Sequence, residues 1–190
     1  MSIVIGLSGK IGSGKGAVCD ILKEQSYVEY AFADPLKKIA ITFGFEPHQV
    51  YGTQEQKLEI NNFWGISGRE FMQKFGTEIC RETLVATLPQ MKLNGLTVWA
   101  RLFEKYYEEN KHTNIVVGDV RFADEAAVIK RNGGYVICIV RDYETPENVA
   151  MHKSEMQHYG VDFTIENNGT LIDLKNKVNE VLEKINSSSL

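Results

Sequence analysis

The stretch "GLSGKIGSGKGAVCDIL" over residues 6–22 sets Gly9, Gly14 and Lys15 in the spacing G-x-x-x-x-G-K. Glycines at these intervals let successive backbone N–H groups turn inward around an anion. A helix starting at the same place adds its positive dipole, and a lysine adds a full charge. The chemistry these residues suit is holding a polyphosphate tail. Gly16 stands where a Ser or Thr hydroxyl would ordinarily reach Mg²⁺. A glycine has no ligating atom, so a bound Mg²⁺ would rely on phosphate oxygens, water and a carboxylate from elsewhere, with Asp119 and Asp34 as candidates. Close packing around Gly16 is the other reason a glycine could stand there.

The motif needs a strand before it and a helix after it. "IVIGLS" at 3–8 supplies a β-branched apolar run, and Ala17, Val18, Ile21 and Leu22 supply a helical stripe. Further runs, "IVVGDV" at 115–120 and "YVICIV" at 135–140, have the near-continuous apolar character of strands covered on both faces. "VEYAFA" at 28–33 and "DFTIE" at 162–166 are weaker candidates. Helical stripes fall between and after them, at Leu36, Ile39, Ala40 and Phe43 and at Leu171, Leu174, Val178, Val181, Leu182 and Ile185. "ADPLKK" predicts Asp34 as a helix cap with Pro35 first in the helix, and "RNGG" at 131–134 predicts a helix end.

Alternation of this kind predicts one α/β domain over residues 1–190, with a five-stranded parallel sheet in a three-layer arrangement. The interval 44–114 lacks a strand signal and reads as a helical insertion. A polar interval at 142–160 reads as a short lid.

Phosphoryl transfer needs cations beyond the loop, because the phosphates and the transition state are anionic. Lys37, Arg69, Arg121 and Arg141 lie beside predicted strand ends or in the insertion, and several arginines suggest two phosphorylated substrates; each also has an ordinary reading as a surface charge. Asp34 is placed either to cap its helix or to orient an acceptor. Trp99 could stack on a base, yet it shares a stripe with Leu96, Leu102, Phe103 and Tyr106 that suits a core. No guanine-reading N-K-x-D occurs, the nearest approach being "NKVN" at 176–179, and there is no "LSGGQ". Both absences weigh against a switch or a transporter motor.

Bulk properties narrow the class further. A net charge of -4 argues against a surface devoted to nucleic-acid polymers. No apolar run approaches the roughly 20 residues of a membrane span, and the opening "SIVIGLS" does not resemble a secretory leader. Cys19, Cys80 and Cys138 lie in apolar surroundings with no disulfide or zinc spacing, which predicts reduced core thiols in a cytoplasmic compartment. The four histidines show no zinc spacing either. A soluble protein with small-molecule partners is expected.

The phosphate loop "SGKIGSGKG", "AFADPLKK", "REFMQKFGTE", "VWARLF", "IVVGDVRFADEAAVIKRNGGYVICIVR", "HKSE" at 152–155 and "DFTIENNGTLIDL" occur in an order that resembles the deoxynucleoside monophosphate kinases of tailed phages and related viruses. Dephospho-coenzyme A kinases and phosphomevalonate kinases share several of these pieces. The resemblance implies a P-loop kinase fold transferring the γ-phosphate of ATP, with Mg²⁺, to a deoxynucleoside monophosphate in the host cytoplasm. It implies that Gly9, Lys10, Ile11, Gly12, Ser13, Gly14, Lys15 and Gly16 hold the ATP phosphates, and that Asn167, Asn168 and Gly169 approach the adenine. It further implies that Asp34, Lys37, Arg69, Gln73 and Gly76 surround the acceptor, making the insertion an acceptor-binding one. Asp119 and Arg121 would lie near the reacting phosphates, with Arg141, His152 and Glu155 at or under the lid. Relatives often carry an acidic residue at the position of Gly16. A kinase for dephospho-coenzyme A or a ribonucleoside monophosphate, or an ATP-dependent binding module, are the rival readings, and a homodimer is one of the assembly states left open.

Overall fold

The computed structural model describes residues 2–142 and 160–188. The chain divides into two compact units, one formed by residues 1–31 and 106–190 and the other by 32–105. The second unit begins at Phe32 and so takes in the helix that starts within "AFADPLKK", ahead of the insertion expected from residue 44.

The first unit contains five strands among its described residues: β1 (Val4–Ser8), β2 (Val28–Tyr30), β3 (Ile115–Val117), β4 (Tyr135–Val140) and β5 (Phe163–Glu166). They form one sheet in the order β2-β3-β1-β4-β5, and every pairing is parallel. Three helices of this unit are α1 (Lys15–Glu24), α8 (Ala123–Arg131) and α9 (Leu171–Ser188). Successive residues of a strand face opposite sides of a sheet. On β1, Ile5 and Leu7 point into a core shared with Val18, Leu22, Leu174, Val178 and Ile185 of α1 and α9. Gly6, between them, faces Ile129 of α8 on the other side. Fully burying each such aliphatic side chain stabilises by about 1.5–3 kcal/mol. β2 is shorter than "VEYAFA" suggested and largely exposed, because it is an edge strand with a neighbour on one side only. Leu171 opens α9 and is exposed, so the apolar stripe of that helix begins at Leu174.

The second unit is helical: α2 (Asp34–Thr42), α3 (Pro47–Tyr51), α4 (Gln54–Leu58), α5 (Gly68–Lys74), a π-helix over Phe75–Thr83, α6 (Leu84–Thr87) and the start of α7 (Val98–Glu109). Its core includes Ala40, Phe45 and Val50, with Ile66, Phe71 and Met72 packed against them. Ala33, not Asp34, is the cap of α2, and Asp34 and Pro35 occupy its first turn. That corrects the expected cap. Phe43 lies just beyond α2 and is partly exposed, so it does not complete the stripe drawn from sequence. Within the π-helix, the Gly76 carbonyl accepts from the Trp99 indole N–H at 3.0 Å.

Candidate functional site

The phosphate loop leaves β1 at Ser8 and enters α1 at Lys15. Gly9, Gly12 and Gly14 have φ of 135°, 79° and 102°, values that residues with a Cβ rarely adopt. Space is closed as well. A methyl on Gly9 would lie 2.3 Å from the Ile139 carbonyl oxygen, and one on Gly14 would lie 2.2 Å from Asn167 Nδ2. Gly16 differs from both, since a Cβ built there meets no described residue within 4 Å. Close packing by the described residues is therefore not the reason for glycine at 16. Lys10 and Ile11 form the exposed outer turn. Lys15 Nζ donates to the carbonyl oxygens of Gly9 and Lys10 at 2.6 and 2.8 Å.

Ser13 is 1% exposed, and its hydroxyl has no hydrogen-bond partner in the described structure. Its carbonyl does have one, since Asn167 Nδ2 donates to it at 2.9 Å. The Asn167 backbone N–H in turn donates to the Val140 carbonyl at 2.7 Å, which ties the end of β5 to the end of β4. Asn168 and Asp142 are bonded twice: the Asp142 N–H donates to Asn168 Oδ1 at 2.9 Å, and Asn168 Nδ2 donates to Asp142 Oδ2 at 2.7 Å. Gly169 precedes Thr170, which caps α9. The Thr170 hydroxyl accepts from the Asp173 N–H while the Asp173 carboxylate accepts from the Thr170 N–H. The Thr170 hydroxyl also donates to the Asp173 carboxylate at 2.7 Å, and that bond first, with the Thr170 N–H second, holds the Asp173 carboxyl below the usual carboxylate range.

Parallel strands present all their carboxyl ends along one edge, where open α/β sheets gather ligand sites. The loops after β1, β3, β4 and β5 carry Gly9–Gly16, then Asp119 and Arg121, then Arg141, and finally Asn167–Gly169. Register brings these loops to one edge of the first unit, with Ser8 opposite Cys138, Gly6 opposite Val117 and Val140 opposite Glu166. Asp119 is half-buried, while Arg121 and Arg141 are exposed.

A residue missed from sequence organises this edge. The Glu125 carboxylate, 3% exposed, accepts from the backbone N–H groups of Arg121 and Phe122 at 2.7 and 3.1 Å. It fixes the turn that carries Arg121 into α8. The Glu three positions after Phe122 in "RFADE" was the available signal, obscured because the N-cap residue is not Ser, Thr, Asp or Asn.

Asp34, Lys37, Arg69, Gln73, Gly76 and Trp99 all belong to the second unit. Lys37 Nζ lies 2.9 Å from Asp34 Oδ1 and 5.5 Å from the centre of the Tyr51 ring. Arg69 donates to Gln54 Oε1 at 2.5 Å. Arg69 and Gln73 are four residues apart on α5 and share a face, with Gln73 exposed. Gly76 is buried. Trp99 is 4% exposed and spends its N–H on Gly76, which is the core alternative weighed for it. His152 and Glu155, with the interval 143–159 of the expected lid, lie outside the described residues.

The three cysteines are buried and stand outside any disulfide. Burial raises all three thiols, and Cys19, which also faces Glu29, is pushed up to about 12. Among the described residues, no helix is long and apolar enough to cross a membrane, and no group of three or more His, Cys, Asp or Glu could hold a metal.

The loop fits a triphosphate, with three positive-φ glycines, a helix N-terminus and Lys15 in one place. The donor set fits Mg²⁺ carried in with that triphosphate, for which phosphate oxygens, water and one carboxylate such as Asp119 suffice.

A five-stranded parallel sheet with a glycine loop between β1 and α1 defines the chain as a P-loop kinase fold. Two solved structures share it. Dephospho-CoA kinase from Campylobacter jejuni matches with a TM-score of 0.53 at 14% identity over 100% of both chains. TT1252 from Thermus thermophilus matches with a TM-score of 0.54 at 18% identity over 96% of this chain and 97% of that one.

The chain belongs to the deoxynucleotide monophosphate kinase family. The family's sequence pattern, described as "Deoxynucleotide monophosphate kinase", matches residues 46–178. A protein of Acanthamoeba polyphaga mimivirus described as "Putative deoxynucleotide monophosphate kinase" is 34% identical over 183 residues, covering 93% of this chain and 94% of that protein. Membership makes this chain a phosphotransferase of the kinase class that acts on small molecules.

Proposed function

We propose that this protein transfers the γ-phosphate of ATP to a deoxynucleoside 5′-monophosphate, giving the diphosphate and ADP, and that it does so in the cytoplasm of a host cell to supply DNA synthesis. The observation that carries this reading is the loop itself. Three glycines in left-handed or extended-positive φ open onto α1 directly before Lys15, in a chain whose family is described by that acceptor class.

In this reading, Gly9 to Gly16 hold the donor's phosphates with backbone N–H groups, and Lys15 leaves the Gly9 and Lys10 carbonyls to pair with the phosphate oxygens. Asp34, Lys37, Arg69, Gln73 and Gly76 serve the acceptor. A phosphate oxygen of the acceptor attacks the γ-phosphorus in line, and the bond from that phosphorus to the β-bridging oxygen breaks as ADP leaves. The acceptor's phosphate is already anionic, so no strong base is required. Mg²⁺, which Asp119 would help to hold, would supply neutralisation of phosphate charge. Arg121 and Arg141 neutralise charge on the transferring group by directional hydrogen bonds. Asp34, paired with Lys37 at 2.9 Å, orients the acceptor without itself transferring a proton.

The experiment is a panel of deoxynucleoside monophosphates, ribonucleoside monophosphates and dephospho-coenzyme A, each incubated with γ-labelled ATP and Mg²⁺. Label appearing in a deoxynucleoside diphosphate supports the reading. Label in dephospho-coenzyme A or in ribonucleotides alone replaces it.

A further inference from the structure

We propose that Asn167 is a positioning residue for the phosphate loop: its amide locks the Ser13–Gly14 peptide so that the Gly14 N–H is held toward the bound polyphosphate. The inference rests on the ATP-binding part of the reading above. It gives Asn167 a task different from the approach to adenine that the family resemblance implied.

The geometry is specific. Asn167 is 9% exposed, and its Nδ2 donates to the Ser13 carbonyl oxygen at 2.9 Å. In a trans peptide the C=O and the following N–H point opposite ways in one plane. Pinning the Ser13 carbonyl therefore aims the Gly14 N–H to the other side, away from Asn167. Gly14 is the left-handed residue from which α1 starts, so its peptide is among those most able to flip if unrestrained. Ser13 does not restrain itself through its side chain, because its buried hydroxyl lacks a partner in the described structure.

Asn167 is itself held. Its backbone N–H bonds to the Val140 carbonyl at 2.7 Å, so the amide is anchored on the sheet and not on a loose loop. The fit is also close, since a Cβ on Gly14 would come within 2.2 Å of Asn167 Nδ2. A buried amide committed to a carbonyl has one donor hydrogen fewer for a base.

The test compares ATP with inorganic tripolyphosphate, which has the anion and no base, by calorimetric titration of the unaltered protein, Asn167→Ala and Asn167→Asp. Circular dichroism and thermal unfolding establish that each variant is folded. Loss of one buried hydrogen bond predicts about a tenfold fall in affinity for Asn167→Ala, equal for ATP and tripolyphosphate. Asn167→Asp keeps the size and removes the donor, so it weakens both at neutral pH. Relative to the unaltered protein at the same pH, that loss shrinks as the carboxyl protonates and regains an O–H donor. A fall for ATP with tripolyphosphate unchanged makes Asn167 a base-reading residue and overturns the proposal, as does unchanged affinity for both. Tripolyphosphate binding needs no acceptor, so failure to phosphorylate deoxynucleotides leaves this measurement standing. Unaltered protein that binds neither probe overturns both readings.

Discussion

Lys15 donates from Nζ to the carbonyl oxygen of Gly9 at 2.6 Å, so the cation that would meet a phosphate rests on the first residue of the loop that would hold it. The ammonium also donates to the Lys10 carbonyl at 2.8 Å, and an incoming anion would exchange these bonds for stronger pairing between opposite charges. Lys15→Ala is expected to fold, to weaken ATP binding and to lower turnover by roughly a hundredfold or more, the scale for removing a charge-stabilising donor. Calorimetry and steady-state kinetics check both, and undiminished transfer would remove Lys15 from the chemistry.

Arg121 and Glu125 should separate rate from stability. It is the backbone N–H of Arg121 that Glu125 holds, at 2.7 Å, while the arginine side chain is exposed. Arg121→Ala is predicted to keep its unfolding midpoint and lose about a thousandfold in rate. Glu125→Ala leaves two N–H groups without their acceptor and should cost about 1–3 kcal/mol in denaturant unfolding.

The glycines of the loop should respond unequally. Gly9→Ala forces a methyl to 2.3 Å from a backbone oxygen at a φ of 135°, so loss of both stability and ATP binding is expected. A Cβ at Gly16 meets no described residue within 4 Å, so Gly16→Ser should fold as the parent does. Thermal unfolding ranks the two, and a Mg²⁺ titration of activity shows whether a hydroxyl at 16 lowers the metal requirement.

Cys19 makes stability fall in alkali. Its thiol is raised from 9.0 to about 12 by burial, then by Glu29, so between those values the folded chain holds a proton that the unfolded chain releases. Stability from this group is fully present below about pH 9 and is lost as pH rises toward 12. Denaturant midpoints measured across that range should fall less steeply for Cys19→Ala. At pH 8, native protein should resist a thiol reagent that titrates all three cysteines after unfolding.

The spacing of Gly9, Gly14 and Lys15, together with the apolar runs around them, was enough to specify a phosphate loop in a parallel α/β sheet. Backbone conformation there is dictated by which residues lack a Cβ, and strands buried on both faces must be apolar throughout. The same local rules explain why five strands could be placed from sequence to within a few residues.

Other features depended on contacts distant in sequence. Asn167 and Ser13 are 154 residues apart, Trp99 and Gly76 are 23 apart, and neither pair leaves a periodic trace. Gly16 reads the same whether its surroundings are crowded or open; only the folded chain shows that no described residue crowds it. Asp34 became a first-turn residue paired with Lys37, because Ala33 already supplied the backbone turn. Sequence determined what is set by each residue's own torsional and hydrophobic preferences, and tertiary structure decided which polar groups were left to meet, since a hydrogen bond depends on where two chain segments come together.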